Sequence, residues 1–363
     1  MPVTHSGTLT DNADISIVVD GSAFVMPVSL SYSQGINAAR KASFEVSSLE
    51  DALKCRLGAK VVITVGYYPQ PEKAESYTNY YNFEGIIRDV SPNANGATII
   101  AYDYISLLQT STYVDYKEAD TVGHDLFVLA ADAANIPEID TGNLLGGCGI
   151  NATKDMGLSG LMTRKAFVDK CFTNMISVVT DSTKYPDVLN TKYWQYAIRH
   201  GKEMDFFELD PSNVSSFPAL SVSLDSNNLI SITPTIDTQR MVNSLTIKSS
   251  SPDFNFTYTD TDSVNQYGVS SKLISLSNSK REEIEVAAFE IVSRFSRPTY
   301  KYMVTVTNAQ AFCLGDYVEV TLPLMGTQLL PIKGLTTSFT DSTTAMMLGE
   351  KELSFTEIIK LIE

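Results

Sequence analysis

Apolar and polar residues alternate with period two through the opening of the chain, the pattern of half-buried strands. Ile15, Ile17 and Val19 take every second position, as do Val28, Leu30 and Tyr32, and Ala42, Phe44 and Val46. Residues 60–66 are a nearly continuous β-branched run, which predicts a strand buried on both faces. Two further strands, 83–90 and 97–102, flank Ser91-Pro92-Asn93-Ala94-Asn95-Gly96. Asn95-Gly96 predicts a hairpin turn, because both residues tolerate positive φ. The polar, tyrosine-rich stretch 69–81 reads as a long loop or hairpin tip.

The period then changes. Val122, Leu126, Leu129, Ala130 and Ala133 fall on one helical face, capped by Asp120 or Thr121 and stopped by Asn135-Ile136-Pro137. Residues 144–149, with Gly146-Gly147-Cys148-Gly149, read as a flexible loop. A second helix is predicted over 163–179, with Val168, Phe172, Met175, Ile176 and Val179 as its apolar stripe. Strand alternation resumes at Trp194, Tyr196 and Ile198 and again at Leu220, Val222 and Leu224. Residues 225–228 predict a turn, and Pro234 predicts an edge strand. In the closing stretch Leu245 and Ile247, then Phe254, Phe256 and Tyr258, mark two more strands. Ser279-Lys280-Arg281-Glu282 reads as a capping box before a helix whose buried face is Ile284, Ala287, Ala288, Ile291 and Phe295. Arg297-Pro298 ends it. Four strands follow, over 300–307, 316–322, 332–340 and 345–353, and then a short terminal helix over 354–362. No internal repeat of 20 to 50 residues is present.

Length and composition bound the function. The 363 residues carry 44% hydrophobic and 19% charged positions, the composition of a folded chain with several cores. The net charge is −15, from 27 basic and 42 acidic residues, and no basic run occurs. A nucleic-acid binder needs cations that displace phosphate counterions, so no sequence-specific nucleic-acid binding is expected. Repulsion of DNA is compatible with this charge, as is simple solubility. No stretch approaches the roughly 20 apolar residues of a membrane span, and the start has no signal-peptide pattern. Cys55, Cys148, Cys171 and Cys313 are therefore expected as thiols of a chain made in a cytoplasm.

Candidate chemistry is sparse. Cysteine spacing rules out a CxxC site, and His5, His124 and His200 lie in three separate regions, so no metal is expected. No GxSxG elbow and no P-loop occurs. Asp260-Thr261-Asp262-Ser263 begins like a calcium loop but lacks its glycine and closing glutamate, and is expected as a solvated hairpin turn. Acid pairs such as Glu282-Glu283, or Asp205 with Glu208, do not single out a glycosidase pair. Trp194 and Tyr196 share a strand face that excludes Tyr193; a packed core is expected there rather than a sugar platform. The expectation is no catalytic, cofactor-binding or metal residue.

Several stretches together carry a resemblance. Phe83-Glu84-Gly85-Ile86-Ile87 looks like a strand that closes a first barrel. Ala101-Tyr102-Asp103-Tyr104-Ile105-Ser106-Leu107-Leu108 looks like the exit from it into a helical part. Arg240-Met241-Val242-Asn243-Ser244-Leu245-Thr246-Ile247 looks like the entry to a second barrel. Tyr267-Gly268, the helix through Phe295, Pro298 and Gly315-Asp316-Tyr317-Val318 follow in order. In this order and spacing the chain resembles the baseplate hub, or tail-tip hub, proteins of tailed phages and related contractile injection systems.

That resemblance implies a mainly β (α+β) fold with two tail-tube-like β-barrel domains flanking a mixed helix-containing middle domain. The implied boundaries are 1–114, 115–238 and 239–363. It further implies a non-enzymatic virion structural protein, a homotrimer placed at the tail tip or baseplate. The tail tube or a distal tail protein would sit on one side and a spike or tail-tip protein on the other. Two tube-like domains in each of three chains would let a sixfold tube meet a threefold tip around a DNA-passage channel. The family has no catalytic signature to transfer. A sixfold distal tail adaptor and a carbohydrate-binding receptor module are the alternatives, and a glycan hydrolase is the remaining one.

Overall fold

The computed structural model describes residues 13–67, 78–180, 189–209, 220–223, 229–239, 241–250, 253–276, 281–307, 314–322 and 326–349. The opening stretch runs β1 (Ala13–Val19), β2 (Ala23–Val25), β3 (Pro27–Gly35), β4 (Lys41–Val46), α1 (Leu49–Lys54), β5 (Lys60–Tyr67), β6 (Thr78–Pro92) and β7 (Ala97–Asp103). Then come α2 (Ile105–Thr110), β8 (Val114–Tyr116), α3 (Glu118–Thr121), α4 (Leu126–Ala134), β9 (Gly160–Met162), α5 (Arg164–Asn174) and β10 (Ile176–Thr180). Next are β11 (Leu189–His200), β12 (Glu203–Leu209), β13 (Leu220–Ser223) and β14 (Leu229–Asp237). The chain closes with β15 (Ser244–Ser250), β16 (Asp253–Thr259), α6 (Thr261–Tyr267), β17 (Ser271–Leu276) and α7 (Arg281–Phe295). After them come β18 (Thr299–Thr307), β19 (Tyr317–Leu322), β20 (Gly326–Ser338) and β21 (Thr343–Gly349).

The fold is mainly β, with mostly antiparallel sheets. Two compact units are present: residues 1–177, 192–232 and 304–348 in the first, and 178–191, 233–303 and 349–363 in the second. In the first unit the strands run in the order β21-β20-β3-β4-β7-β6-β5-β1-β2. Thus β20, from the last fifth of the chain, pairs with β3 from the first tenth, with Thr336 opposite Ser33. The expected closed barrels are not drawn by these hydrogen bonds. Among the described residues β2, three residues long, pairs with β1 alone, so the hydrogen-bonded order does not close on itself.

Its core follows the alternation. Ile15, Ile17, Val19, Leu30, Phe44, Val46, Val61, Ile63 and Val65 are buried together, joined by Phe339 from beyond β20. Two expectations are corrected. Val28 is exposed, because an irregularity between Pro27 and Ser29 flips the side-chain parity of β3. In β5 only the face of Val61, Ile63 and Val65 is fully buried, while Val62 and Thr64 are half-buried.

The β6–β7 hairpin forms where Asn-Gly predicts it, by a different device. Neither Asn95 nor Gly96 has positive φ. Instead the Asn93 side-chain oxygen accepts from the amides of Asn95 at 3.0 Å and Gly96 at 2.8 Å. Glycine is required at 96 because a Cβ there would overlap the Val46 carbonyl oxygen.

A second core in the same unit gathers Leu126, Ala130 and Ala134 of α4 with Phe167, Val168, Cys171 and Phe172 of α5 and Tyr196, Ile198 and Phe206 of β11 and β12. The cap of α4 is Asp125, not Asp120 or Thr121, which belong to the separate α3. Thr163 caps α5, its hydroxyl accepting from the Ala166 amide at 3.2 Å. That helix ends at Asn174, short of Val179: β-branched Ile176, Val178 and Val179 favour extended backbone and form β10.

In the second unit β15 lies between antiparallel β16 and parallel β17. Leu245 and Ile247 are buried, as are Ile284, Ala287, Ala288, Ile291 and Val292 of α7, and Tyr258 meets Phe289 edge-on at 5.2 Å. Asp260-Thr261-Asp262-Ser263 is a helix start rather than a hairpin turn: the Asp260 carboxylate accepts from the Ser263 amide at 3.0 Å and caps α6. The strand with Pro234, β14, is a terminal strand of its sheet, as an edge assignment requires. Ser279 of the expected capping box, residues 225–228 of the expected turn, most of the tip at 69–81 and the expected helix over 354–362 lie outside the described residues.

Candidate functional site

An exposed apolar surface of the first unit lies around β2 and α1. In β2, Val25 points into the core while Phe24 and Met26, its neighbours, point out. The chain then passes through β3 and β4 to α1, which Ser48 caps by accepting from the Asp51 amide at 3.0 Å. Leu49 and Leu53, four apart, share one face of α1, and Leu57 follows in the turn after it. They are 69%, 70% and 68% exposed, and Phe24 is 58% exposed. Apolar side chains of this size, grouped and in water, mark a contact surface.

The helix is nonetheless fixed. Ala52 packs on the core and Cys55 is buried beneath it; burial, then the Asp51 charge, push the Cys55 thiol up to about 11. Lys54 ties α1 to β2, its Nζ donating to the Phe24 carbonyl oxygen at 3.3 Å. The charges around the stripe are compensated locally. Lys54 lies 2.7 Å from Asp51 and 3.3 Å from Glu50, and Arg56 lies 3.4 Å from Asp20. The hydrogen bond to Asp51 is the main cause that raises the Lys54 pKa.

A buried polar joint lies where β7 leaves the sheet for α2. Asp103 is fully buried, and its carboxylate accepts from the backbone amides of Arg40 at 2.9 Å and Ile105 at 3.1 Å. Burial pushes its pKa up to about 7, against the opposing Arg40 charge and both amides. The Arg40 guanidinium stands 5.1 Å from the Phe83 ring centre and 5.7 Å from that of Tyr32. Beside it, Asn37 at the β3–β4 turn takes φ +56 and accepts the Tyr196 amide at 2.9 Å. The Tyr196 hydroxyl donates to Asp169, and Lys165 Nζ reaches that hydroxyl at 2.8 Å and Asp169 at 2.7 Å. Burial, then the Asp169 charge, raise the Tyr196 pKa well above its usual range. This network locks the sheet to the helical core, and its exposed carboxylate, Asp169, is held by Lys165 and the Tyr196 hydroxyl.

The sequence-level candidates are not brought together. His124 is exposed just before α4; His5, and the side chain of His200, lie outside the described residues. Asp205 and Glu208, three apart on β12, point to opposite faces. The side chains of Glu282 and Glu283 lie outside the described residues. Trp194 is partly buried against the helical core, edge-on to Phe127 at 5.4 Å, and Tyr196 is fully buried, so these two form no open sugar platform. The side chain of Tyr193 lies outside the described residues. Among those residues no cluster of three or more His, Cys, Asp or Glu could hold a metal, and no helix is long and apolar enough to cross a membrane. The glycine loop before Ile150 is pinned, not free: Asp125 accepts from the amides of Cys148 at 3.2 Å and Gly149 at 2.8 Å. The exposed apolar stripe escaped notice because a three-leucine repeat reads equally as a buried face; only its shortness after Ser48 hinted otherwise.

No family model matches the chain, and the search of curated proteins finds no match. Solved structures are. The tail protein from Neisseria meningitidis MC58 is 11% identical over 93% of this chain and 96% of its own, with a TM-score of 0.53. The 43 kDa tail protein of prophage MuSo2 from Shewanella oneidensis is 13% identical over 93% of this chain and 98% of its own, with a TM-score of 0.54. The chain has the fold of phage tail proteins. A chain of the Francisella PdpA–VgrG complex is also similar, at 10% identity and a TM-score of 0.52, with 60% of its own length covered. The exposed apolar surface of this chain lies at β2 and α1.

Proposed function

We propose that this protein is a non-enzymatic structural component of a phage tail tip or baseplate, a hub built from three copies. One observation carries the reading: the fold of phage tail proteins extends over 93% of this chain and 96–98% of two of them. In this reading residues 1–114 and 239–363 hold the two tube-like β parts and residues 115–238 the middle part. Three copies then offer six tube-like parts to a sixfold tail tube or distal tail protein and a threefold face to a spike or tail-tip protein. The ring surrounds the channel through which DNA passes. A net charge of −15 suits such a channel, since phosphates pass an acidic wall without adhering. The chain acts in the virion.

Negative-stain electron microscopy of the purified chain tests this. Class averages with threefold symmetry and six densities around a lumen are expected. Averages with strict sixfold symmetry and one density per chain would favour a distal tail adaptor instead.

A further inference from the structure

Asn95-Gly96, the one Asn-Gly pair of the chain, takes no part in the function proposed above. It lies at the β6–β7 turn, where Asn95 is exposed and Gly96 is buried. A Cβ at 96 would overlap the Val46 carbonyl oxygen of β4, so the sheet requires glycine there. The fold therefore places a glycine directly after an exposed asparagine. Without a side chain, glycine offers the least hindrance to attack by its own nitrogen on the preceding side chain.

That attack removes the asparagine amide. The Gly96 nitrogen gives its proton to hydroxide and bonds to Asn95 Cγ. The Cγ–Nδ2 bond breaks, and ammonia leaves with a proton taken from water. Water then adds to either carbonyl of the cyclic imide and breaks one of its C–N bonds. The product is aspartate or isoaspartate, and nothing is oxidised or reduced.

In the folded chain the attacking nitrogen is already engaged. The Gly96 amide donates to Asn93 Oδ1 at 2.8 Å, and the Asn95 amide donates to the same oxygen at 3.0 Å. The Asn93 amide in turn donates to the Gly96 carbonyl oxygen at 3.0 Å. One residue thus holds Gly96 by both its amide and its carbonyl. A hydrogen-bonded amide yields its proton to base only when the bond opens, as in hydrogen exchange. To reach Cγ, the Gly96 nitrogen must first leave Asn93.

We propose that Asn95 is a deamidation site that Asn93 keeps closed by occupying the Gly96 amide. Water is the co-reactant, and opening of the turn sets the rate. Aspartate would add a negative charge to the turn. Isoaspartate would lengthen the main chain by a methylene next to Gly96, just before the pairing of Ala97 with Val46.

The test is incubation of the full chain in mildly alkaline buffer, with and without urea, followed by peptide mass spectrometry for aspartate and isoaspartate at position 95. The folded wild type should react at least about tenfold more slowly than the chain in urea. Asn93→Ala should react about five- to tenfold faster than the folded wild type, the factor that loss of one hydrogen bond sets. Asn93→Asp keeps an acceptor oxygen and should stay slow. Asn95→Gln should remove the signal. Circular dichroism shows that each variant is folded, and Asn93→Gln, which displaces the acceptor, replaces Asn93→Ala if that one is not. A folded wild type as fast as the chain in urea would overturn the closed site. A folded Asn93→Ala, or its replacement, as slow as the wild type would overturn the role of Asn93.

Discussion

Asp125 holds Cys148 across twenty-three residues: its Oδ1 accepts the Cys148 amide at 3.2 Å and the thiol at 3.4 Å. The same oxygen caps α4 by accepting from the Phe127 amide at 2.8 Å. One carboxylate therefore starts a helix and closes a glycine loop. Burial works to raise its pKa, but the amides of Cys148, Phe127 and Gly149 prevail and hold it below the usual carboxylate value. Stability from this group is present above pH 4 and is lost as pH falls through the lowered pKa.

Asp125→Ala should accordingly cost about 1–2 kcal/mol through the lost cap alone. It should also release the loop. Burial, and the Asp125 charge, raise the Cys148 pKa and slow its reactions. Labelling of Cys148 by a thiol reagent at pH 8, followed by peptide mass spectrometry, should be several-fold faster in the variant. An unchanged rate would mean that the loop is held by something else.

Asp103 gives a pH dependence of opposite sign. Its folded pKa of about 7 exceeds the ordinary 3.8, so between those values the folded chain holds the proton more tightly than the unfolded one. The contribution of this group falls as pH rises from about 4 to about 7 and is flat above, with a slope of at most about 1.4 kcal/mol per pH unit. Urea unfolding of the wild type and Asp103→Asn across this range isolates it. The stability difference between the two should shift steadily against the wild type as pH rises; a constant difference would contradict the buried-carboxylate account.

Gly96→Ala should destabilise by more than about 2 kcal/mol, because the added Cβ meets the Val46 carbonyl oxygen, part of the backbone. Replacing Gly58, where φ is +82 and no atom crowds the position, should cost less. Denaturant midpoints of the two variants decide the order.

Tyr196→Phe removes the hydroxyl shared by Asp169, Lys165 and the Asn37 carbonyl. A loss of about 1–2 kcal/mol is expected. The Lys165–Asp169 pair survives at 2.7 Å, so the unfolding transition should remain single and cooperative. A second transition would show that the hydroxyl joins otherwise independent parts.

How far the fold could be read from sequence depends on the kind of contact. Alternation placed Ile15, Ile17 and Phe44 inside because a strand's faces are fixed by local geometry. The apolar stripe Ile284, Ala287, Ala288 and Ile291 placed α7 for the same reason. Partners are another matter. Nothing local tells Thr336 that Ser33 lies opposite, so the β20–β3 pairing and the open sheet were not legible. Val28 failed because a bulge is one residue's irregularity, and Ile176–Val179 failed because an apolar run after a helix continues either period. At the candidate site, Leu49, Leu53 and Leu57 were not legible as a surface, because exposure is a property of the packed chain. What the resemblance implied at its coarsest, a mainly β fold like that of phage tail proteins, agrees with the solved structures the chain is similar to.

The central claim is an assembly of three copies, and the solution mass of the purified chain tests it most directly. Light scattering across a concentration range should give three times the 39.8 kDa chain mass. A stable six-chain species would favour the sixfold adaptor, and a single-chain mass at every concentration would contradict a ring formed by this chain alone.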